Sequence, residues 1–224
     1  METRVRLEPW GDGDFWLLER KNEPAMTAHL GGPETPEKLV DRQRRYEALS
    51  AREPSAGRMF RVVLEPSGES VGSVGFWERE WRGEPVYEAG WGVLPEFQGR
   101  GLAVAALTEL LAYVRVHGTR DSVHAFPGTD HPASNAVCRR AGFENLGEVD
   151  FEYPPGVPHP SNDWRYRVGR RPATTPQAGP TPQTGTPQAG ITPSGRCGRG
   201  PPRWRGGRAP SARRPAGRCP RPGA

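Results

Sequence analysis

Apolar and polar residues alternate along much of the first 168 residues in the way that half-buried strands require. Val5 and Leu7, for example, alternate with Arg4 and Arg6. The segment Pro66-Ser67-Gly68 separates two such stretches and predicts a β-hairpin turn. Strands are predicted near residues 4–7, 59–64, 70–77, 122–126, 144–153 and 163–168, with a further extended stretch that ends at Pro95.

Between these strands the apolar positions recur at helical spacing. Asp12 or Asp14 is a candidate cap for a helix through Leu17 and Leu18. Further helices are predicted from Pro36, with apolar positions at Leu39, Val40, Tyr46 and Leu49, from Leu102 to Val116 before a stop at Gly118, and from Pro132 to Gly142. A proline-rich loop is expected at residues 154–160. This order predicts an α/β fold with a mixed sheet and helices on both of its faces.

The composition of the chain changes sharply after Val168. Residues 170–224 contain eleven arginines but no Asp, Glu or Lys, so their formal charge is +11, against +5 for the whole chain and −6 for residues 1–169. Such a segment, rich in proline and glycine, buries too little apolar surface to offset its conformational entropy. We therefore predict an acidic folded domain at residues 1–169 and a disordered basic tail at residues 170–224.

Several classes of protein are not indicated. The three cysteines and five histidines show no metal-ligand spacing, so no metal is expected. No stretch approaches the roughly 20 apolar residues of a membrane helix, and the N-terminus lacks an apolar signal core. We expect a cytoplasmic protein that does not contact a membrane.

The most informative motif is a glycine turn between the stretch that ends at Pro95 and the helix from Leu102. Glycines at positions 99 and 101 allow a tight turn, so the first N–H groups of the helix can converge on a phosphate. A dinucleotide fingerprint would need a third glycine at position 104, where Val104 stands, and no Gly-Lys-Ser or Gly-Lys-Thr occurs. What remains is the pattern Gln/Arg-x-x-Gly-x-Gly/Ala, which predicts a site for a phosphorylated ligand.

Residues 98–103 and their surroundings resemble motif A of the GCN5-related N-acetyltransferase (GNAT) superfamily. Residues 87–97 resemble the fourth strand of that family, and residues 134–143 resemble the helix that lies beside the pantetheine arm. Residues 4–10 and 26–33 are similar to the subgroup that acetylates the N-termini of ribosomal proteins. The resemblance implies a three-layer sandwich with a mixed, mostly antiparallel sheet, and acetyl-CoA as co-substrate.

The same resemblance implies the site residues. Those expected to bind acetyl-CoA are Val93, Gln98, Gly99, Arg100, Gly101, Leu102, Ala103, Ser134 and Asn135. Those expected to take part in catalysis are Glu88 as general base, the Val93 N–H as donor to the thioester carbonyl, and Cys138, which stands where relatives often have a tyrosine that protonates the leaving thiolate. An exposed carboxylate or an amine anchor is the alternative for Glu88, and core packing is the alternative for Cys138.

Two further features of the motif region each allow two interpretations. Gly90 and Gly92 flank Trp91 within one strand, which predicts either a bulge that opens the strand or close packing beneath a tryptophan. His131 replaces the asparagine of the Asn-x-x-Ser pattern found in many relatives, and it either contacts pantetheine or starts a helix at the surface.

The expected activity is direct transfer of an acetyl group from acetyl-CoA to a primary amine, either a protein N-terminus or a small amine, by a monomer or homodimer. Two alternatives remain open at this point. The chain could be a catalytically silent acyl-CoA-binding regulator, or its arginine-rich tail could bind nucleic acid through phosphate contacts.

Overall fold

The computed structural model describes residues 4–152 and 156–169. The described strands are β1 (Val5–Pro9), β2 (Gly57–Leu64), β3 (Ser70–Trp81), β4 (Glu84–Val93), β5 (Ser122–Ala125), β6 (Glu144–Glu152) and β7 (Pro158–Arg167). The α-helices are α1 (Phe15–Lys21), α2 (Pro24–Thr27), α3 (Pro36–Ser50), α4 (Leu102–His117) and α5 (Pro132–Arg140). The predicted basic tail at residues 170–224 lies outside the described residues, so it stays a prediction, as does the domain boundary at residue 169.

The strands form a single sheet in the order β1-β2-β3-β4-β5-β7-β6. Every neighbouring pair is antiparallel except β4 and β5, which run parallel. Those two strands are joined by only two residue pairs, Tyr87 with Val123 and Glu88 with His124. Beyond Glu88 the sheet therefore opens into a gap between β4 and β5. The predicted fold class, a mixed and mostly antiparallel sheet between helical layers, is confirmed.

The two faces of β4 belong to different layers. Tyr87, Ala89 and Val93 are buried in a core shared with α4 and α5. The alternate residues of β4 face the other side, because successive side chains of a strand point in opposite directions. There the side chain of Lys21, from α1, lies against Gly92. The sheet is thus covered by α4 and α5 on one face and by α1 and α3 on the other.

Most predicted elements are confirmed, but two boundaries were wrong. β7 begins at Pro158 and not at Asp163, so the last three residues of the predicted proline-rich loop are strand. Over that part β7 is paired with β6, while its pairing with β5 begins only at Trp164. On its other edge this part of β7 makes an isolated bridge, Ser161 with Gly128, and not a continuous ladder. Prolines are tolerated at such an edge. β3 also extends to Trp81, because it stays paired with β4 as far as Glu84.

Two predicted roles within helices were also wrong. Val40 is 39% exposed, and the buried residues of α3 are Leu39 and Gln43. Gln43 Oε1 accepts a hydrogen bond from Trp10 Nε1 at 2.9 Å. Asp14 precedes α1 but makes no side-chain cap with it. Its carboxylate instead accepts hydrogen bonds from the Gly11 N–H and from Arg61, both at 2.9 Å.

Two valines of helix α4, one buried and one exposed, test the assignment of the core. Val114 is fully buried and Val116 is 77% exposed in the same helix. Val114→Ala should lower the free energy of unfolding by about 2 kcal/mol, because it removes two buried methyl groups and leaves a cavity. Val116→Ala, with the same change in helix propensity, should be nearly neutral. Urea unfolding measures both, and equal losses would contradict this assignment of the core.

Candidate active site

The glycine turn that was predicted to bind a phosphate, residues 98–103, lies at the end of β4. We call this turn, together with the first N–H groups of α4, the cradle. A 3-10 turn at Pro95–Phe97 leads from β4 into Gly99 and Gly101, which have φ angles of 74° and 78°. A Cβ atom at either glycine would meet nothing within 4 Å, so the backbone conformation and not the available space calls for glycine here. Gly101 is the N-cap residue of α4, in the left-handed conformation.

The N-terminus of α4 is open toward solvent. No side chain caps it, and Gln98, Gly99, Arg100 and Gly101 are all exposed. The first N–H groups of an α-helix have no partner within the helix, and the helix dipole adds positive potential at this end. Leu102, with 1% exposure, fixes the helix to the core. These backbone donors are therefore suited to bind an anion.

Gln98 and Val93 connect the cradle to the gap in the sheet. Gln98 Nε2 donates to the Val93 carbonyl oxygen at 2.9 Å. The Leu94 N–H donates to the Val71 carbonyl on β3, also at 2.9 Å. Because successive N–H groups of a strand point to opposite edges, the Val93 N–H points away from β3, toward the gap beside β5. A main-chain donor thus faces the opening that ends at the cradle.

The strand glycines do not form the predicted bulge. The pairing of β3 with β4 keeps one register from Trp81 opposite Glu84 to Gly72 opposite Val93. A Cβ atom on Gly90 would lie 2.9 Å from the Trp77 ring, and one on Gly92 would lie 2.6 Å from Lys21 Cε. The glycines therefore allow close packing, which was the alternative interpretation, and the gap arises because β5 separates from β4.

Glu88 is partly buried beside the point where β4 and β5 separate. Arg79 Nη1 donates to Glu88 Oε2 at 2.6 Å, and the carboxylate side chain is 14% exposed. Burial raises the pKa of Glu88, although the charge and hydrogen bond of Arg79 and a hydrogen bond from the Trp77 side chain oppose that shift. The Arg79 guanidinium in turn lies 4.4 Å from the centroid of the Phe151 ring. The carboxylate is held in place and is more basic than an exposed glutamate.

Sequence reasoning missed a polar group on the neighbouring strands. His124, the partner of Glu88 across the β4–β5 pair, has Nδ1 2.7 Å from Asp163 Oδ1, and both residues are buried. Trp81 Nε1 donates to the other Asp163 oxygen at 2.9 Å. Burial raises the pKa of Asp163, but the hydrogen bonds from His124 and Trp81 outweigh it and hold that pKa below its ordinary value of 3.8. No local spacing in the sequence links these residues.

Lys21 is the second group that sequence reasoning missed. This partly buried side chain extends from the last turn of α1 onto β3 and β4, where Nζ donates to Ser73 Oγ at 2.6 Å. Ser73 and Gly92 are partners in the β3–β4 pairing. Burial, aided by the positive charge of Arg42, lowers the pKa of Lys21 to about 8. An amine thus lies beside Val93 on the face opposite α4.

The predicted residues of α5 divide into a surface pair and a buried pair. His131 is the N-cap residue, and its Nε2 lies 3.1 Å from Ser134 Oγ. Asn135 uses its side chain within the protein, donating to the Gly128 carbonyl at 2.8 Å and accepting from Trp164 Nε1 at 2.8 Å. Cys138 is fully buried in the core, where burial raises the pKa of its thiol to about 12. These contacts favour structural roles for Asn135 and Cys138.

The segment after α1 bridges the cradle and α5. Its two ends are joined by reciprocal 2.8 Å hydrogen bonds between the Asn22 amide and the backbone of Glu34. Within it, Met26 Sδ accepts a hydrogen bond from Gln98 Nε2 at 3.3 Å. His29 Nδ1 lies 3.0 Å from Asp130 Oδ2, and the His29 ring stacks on that of His131. The segment therefore borders the opening between the two elements.

Residues 4–152 and 156–169 contain no cluster of His, Cys, Asp or Glu that could hold a metal ion. Within the same ranges no helix combines the length and apolarity needed to cross a membrane.

The family of the chain follows from its sequence. The family model described as "Acetyltransferase (GNAT) domain" matches residues 4–144, which is more than half of the chain. The chain therefore belongs to the GNAT acetyltransferase family. No curated protein matches it.

Several solved acetyltransferases share the fold. Spermidine N-acetyltransferase from Vibrio cholerae, in complex with CoA and spermine, is 15% identical with a TM-score of 0.60, covering 75% of this chain and 97% of that one. The Salmonella typhimurium enzyme that modifies the N-terminal serine of ribosomal protein L7/L12 is 21% identical with a TM-score of 0.61, covering 75% and 96%. An aminoglycoside acetyltransferase in complex with coenzyme A is 18% identical with a TM-score of 0.58, covering 74% and 95%.

The buried Asp163 group can be tested through stability. In Asp163→Asn the amide group would meet the N–H of His124 or of Trp81, so two donors would face each other. We expect a loss of about 2 to 3 kcal/mol in unfolding free energy near neutral pH. Because the folded pKa of Asp163 is depressed, its contribution is present above the ordinary value of 3.8 and is lost as the pH falls through the folded value.

Urea unfolding over a pH series measures this effect. The difference in unfolding free energy between wild type and Asp163→Asn should become smaller only as the pH falls below 3.8, the ordinary pKa of the group. Asp41→Asn, at a surface position 63% exposed, is the control and should change little. If this difference in unfolding free energy did not depend on pH, Asp163 would not be ionised in the folded protein.

Proposed function

We propose that the chain transfers the acetyl group of acetyl-CoA directly to an α-amine, with a protein N-terminus as the favoured acceptor. The observation that carries the proposal is the continuity of the cradle with the gap between β4 and β5. Backbone donors at the start of α4 would bind the pyrophosphate, and the pantetheine arm would extend through the gap past Val93. The Val93 N–H would stabilise the charge that develops on the thioester oxygen.

The site residues differ in how directly they take part in this arrangement. Gly99, Gly101 and the amides of Leu102 and Ala103 form the pyrophosphate contact, while Gln98 holds the cradle against β4. The exposed Arg100 is suited to contact the ribose or phosphate end of the cofactor. On α5, the partly exposed Ser134 would contribute its hydroxyl, which lies 3.1 Å from His131 Nε2. Further donors for the pantetheine amides would be backbone groups.

Proton transfer favours an α-amine over a lysine side chain. Removing a proton from a lysine with a pKa near 10.4 costs about 4.6 kcal/mol at pH 7, whereas an α-amine near 7.8 costs about 1 kcal/mol. Glu88 is the proposed proton acceptor, but Arg79 and Trp77 already bind its carboxylate. A carboxylate that already has two hydrogen-bond partners is better matched to the α-amine, whose deprotonation costs less free energy. Sequence similarity to the ribosomal-protein subgroup in residues 26–33 points to the same acceptor.

No dedicated general acid is needed in this mechanism. A thiol leaving group with a pKa near 8.5 departs readily as thiolate. Cys138, with its pKa raised to about 12 in the core, has no part in it. The competing function, a regulator that binds acyl-CoA without turnover, is favoured by the missing tyrosine at this position. Thiol release from acetyl-CoA in the presence of an N-terminal peptide separates the two functions, since a silent regulator would stay at background.

The cradle is tested by Gly101→Ala. An alanine at a φ of 78° pays a conformational cost of about 1 to 2 kcal/mol, although the space for its methyl group is open. Calorimetric titration with coenzyme A should show affinity reduced roughly tenfold. The control is Gly13→Ala, a glycine with equally open space and no left-handed φ, which should bind as the wild type does. Unchanged affinity in Gly101→Ala would remove this turn from the cofactor site.

The role of Glu88 is tested by Glu88→Gln on two amine classes. The glutamine keeps a similar shape but cannot accept a proton, so kcat should fall about 100-fold for lysine-like amines and only a few-fold for α-amines. Initial rates of thiol release on matched peptides measure both, with coenzyme A affinity as the check that the cofactor site is intact. Equal losses for the two classes would mean that Glu88 only positions neighbouring groups.

A further inference from the structure

The chain contains only two lysines, Lys21 and Lys38, among 31 basic residues counted as Lys and Arg. Lys38 is exposed in the first turn of α3. Lys21 is partly buried and extends onto the strand that would present the thioester. Apart from these two lysines, all residues counted as Lys and Arg are arginines. Lys21 therefore places a lysine amine near the proposed reaction centre, whereas a guanidinium stays protonated and is a poor acyl acceptor.

The position of Lys21 is set by both strands beneath it. Its Nζ lies 2.6 Å from Ser73 Oγ on β3 and would lie 3.1 Å from a Cβ on Gly92 of β4. Val93, whose N–H points into the gap, follows Gly92 in β4. The edge of β4 that borders the gap is therefore on the order of one strand spacing, about 5 Å, from the amine. Rotation about the terminal bonds of a lysine side chain covers that distance.

The environment of Lys21 also allows the neutral amine. Its partner Ser73 is a hydroxyl, which can donate to a neutral amine as well as accept from an ammonium. With its pKa lowered to about 8, roughly a quarter of the Lys21 side chains would be neutral at pH 7.5, against about one in a thousand at the ordinary value of 10.5. Nucleophilic attack on a thioester needs this neutral form.

We propose that Lys21 is itself an acetyl acceptor, so that the enzyme acetylates its own chain at this lysine from bound acetyl-CoA. The Lys21 nitrogen attacks the thioester carbonyl carbon, a C–N amide bond forms as the C–S bond breaks, and the coenzyme leaves as thiolate. The proton released by the nitrogen passes to the thiolate or to solvent. This inference rests on the proposed function, because it uses the same bound thioester.

The product would be stable and would change the site. An amide does not return its acetyl group to a thiol, so the reaction would stop at one acetyl group per chain. Acetylation removes the positive charge of Lys21 and adds bulk above Gly92, on the face opposite α4. The modified enzyme should therefore acetylate external amines more slowly than the unmodified enzyme.

The experiment uses the full chain with isotopically labelled acetyl-CoA, followed by intact mass and peptide mapping. Lys21 should gain the label in proportion to time and reach one acetyl group, while Lys38 stays at least tenfold less modified. Excess coenzyme A should suppress the labelling. Lys38→Arg should label as the wild type does, and Lys21→Arg should not label at position 21.

The outcomes separate this inference from the proposed function. Equal labelling of Lys21 and Lys38, or labelling that excess coenzyme A does not suppress, would mean uncatalysed chemistry and would overturn the inference. An unlabelled Lys21 in an enzyme that acetylates peptide α-amines would overturn it while leaving the proposed function intact. Failure to bind coenzyme A and to acetylate any amine would reject both. The decisive measurement is made on the wild-type chain, so it does not depend on whether a variant folds.

Discussion

The separation of β4 from β5 is the constraint on which the candidate site depends. Two residue pairs join these parallel strands, and β5 is held in the sheet by four pairs with β7 and by the buried side chains of Val123 and Ala125. The sheet can therefore open on one side of β5 without losing the strand. Main-chain donors that would otherwise pair across the gap are left to face it, and the same opening leads to the start of α4.

The alternation of side chains along β4 gives its two faces different chemistry. One face, with Tyr87 and Val93, is part of the apolar core under α4 and keeps the strand rigid. The other face carries Glu88 and Gly92, next to Arg79 and Lys21. Burial raises the pKa of Glu88 and lowers the pKa of Lys21, because few waters solvate their charged forms. The fold thus controls the protonation of these two groups.

Local patterns were sufficient for much of the fold and less so for the site. The boundaries of α4 and the start of α3 at Pro36 were predictable, since both depend on contacts within one or two turns. The start of β7 at Pro158 was not predictable. Prolines argue against a strand unless it is known that one edge of the strand lacks a continuous ladder. The bulge at Gly90 was wrong for a similar reason: the Trp77 ring that requires this glycine comes from another strand.

The sequence by itself determined the cradle and the family to which it points, because a glycine turn between a strand and a helix is encoded within about ten residues. Tertiary structure alone decided which side chains surround the candidate site. Lys21 meets Ser73 across 52 positions of the chain, and His124 meets Asp163 across 39. Such contacts depend on strand order and on which face of each strand is covered. Neither is set by local composition, so the partly buried amine against Gly92 became visible only in the folded chain.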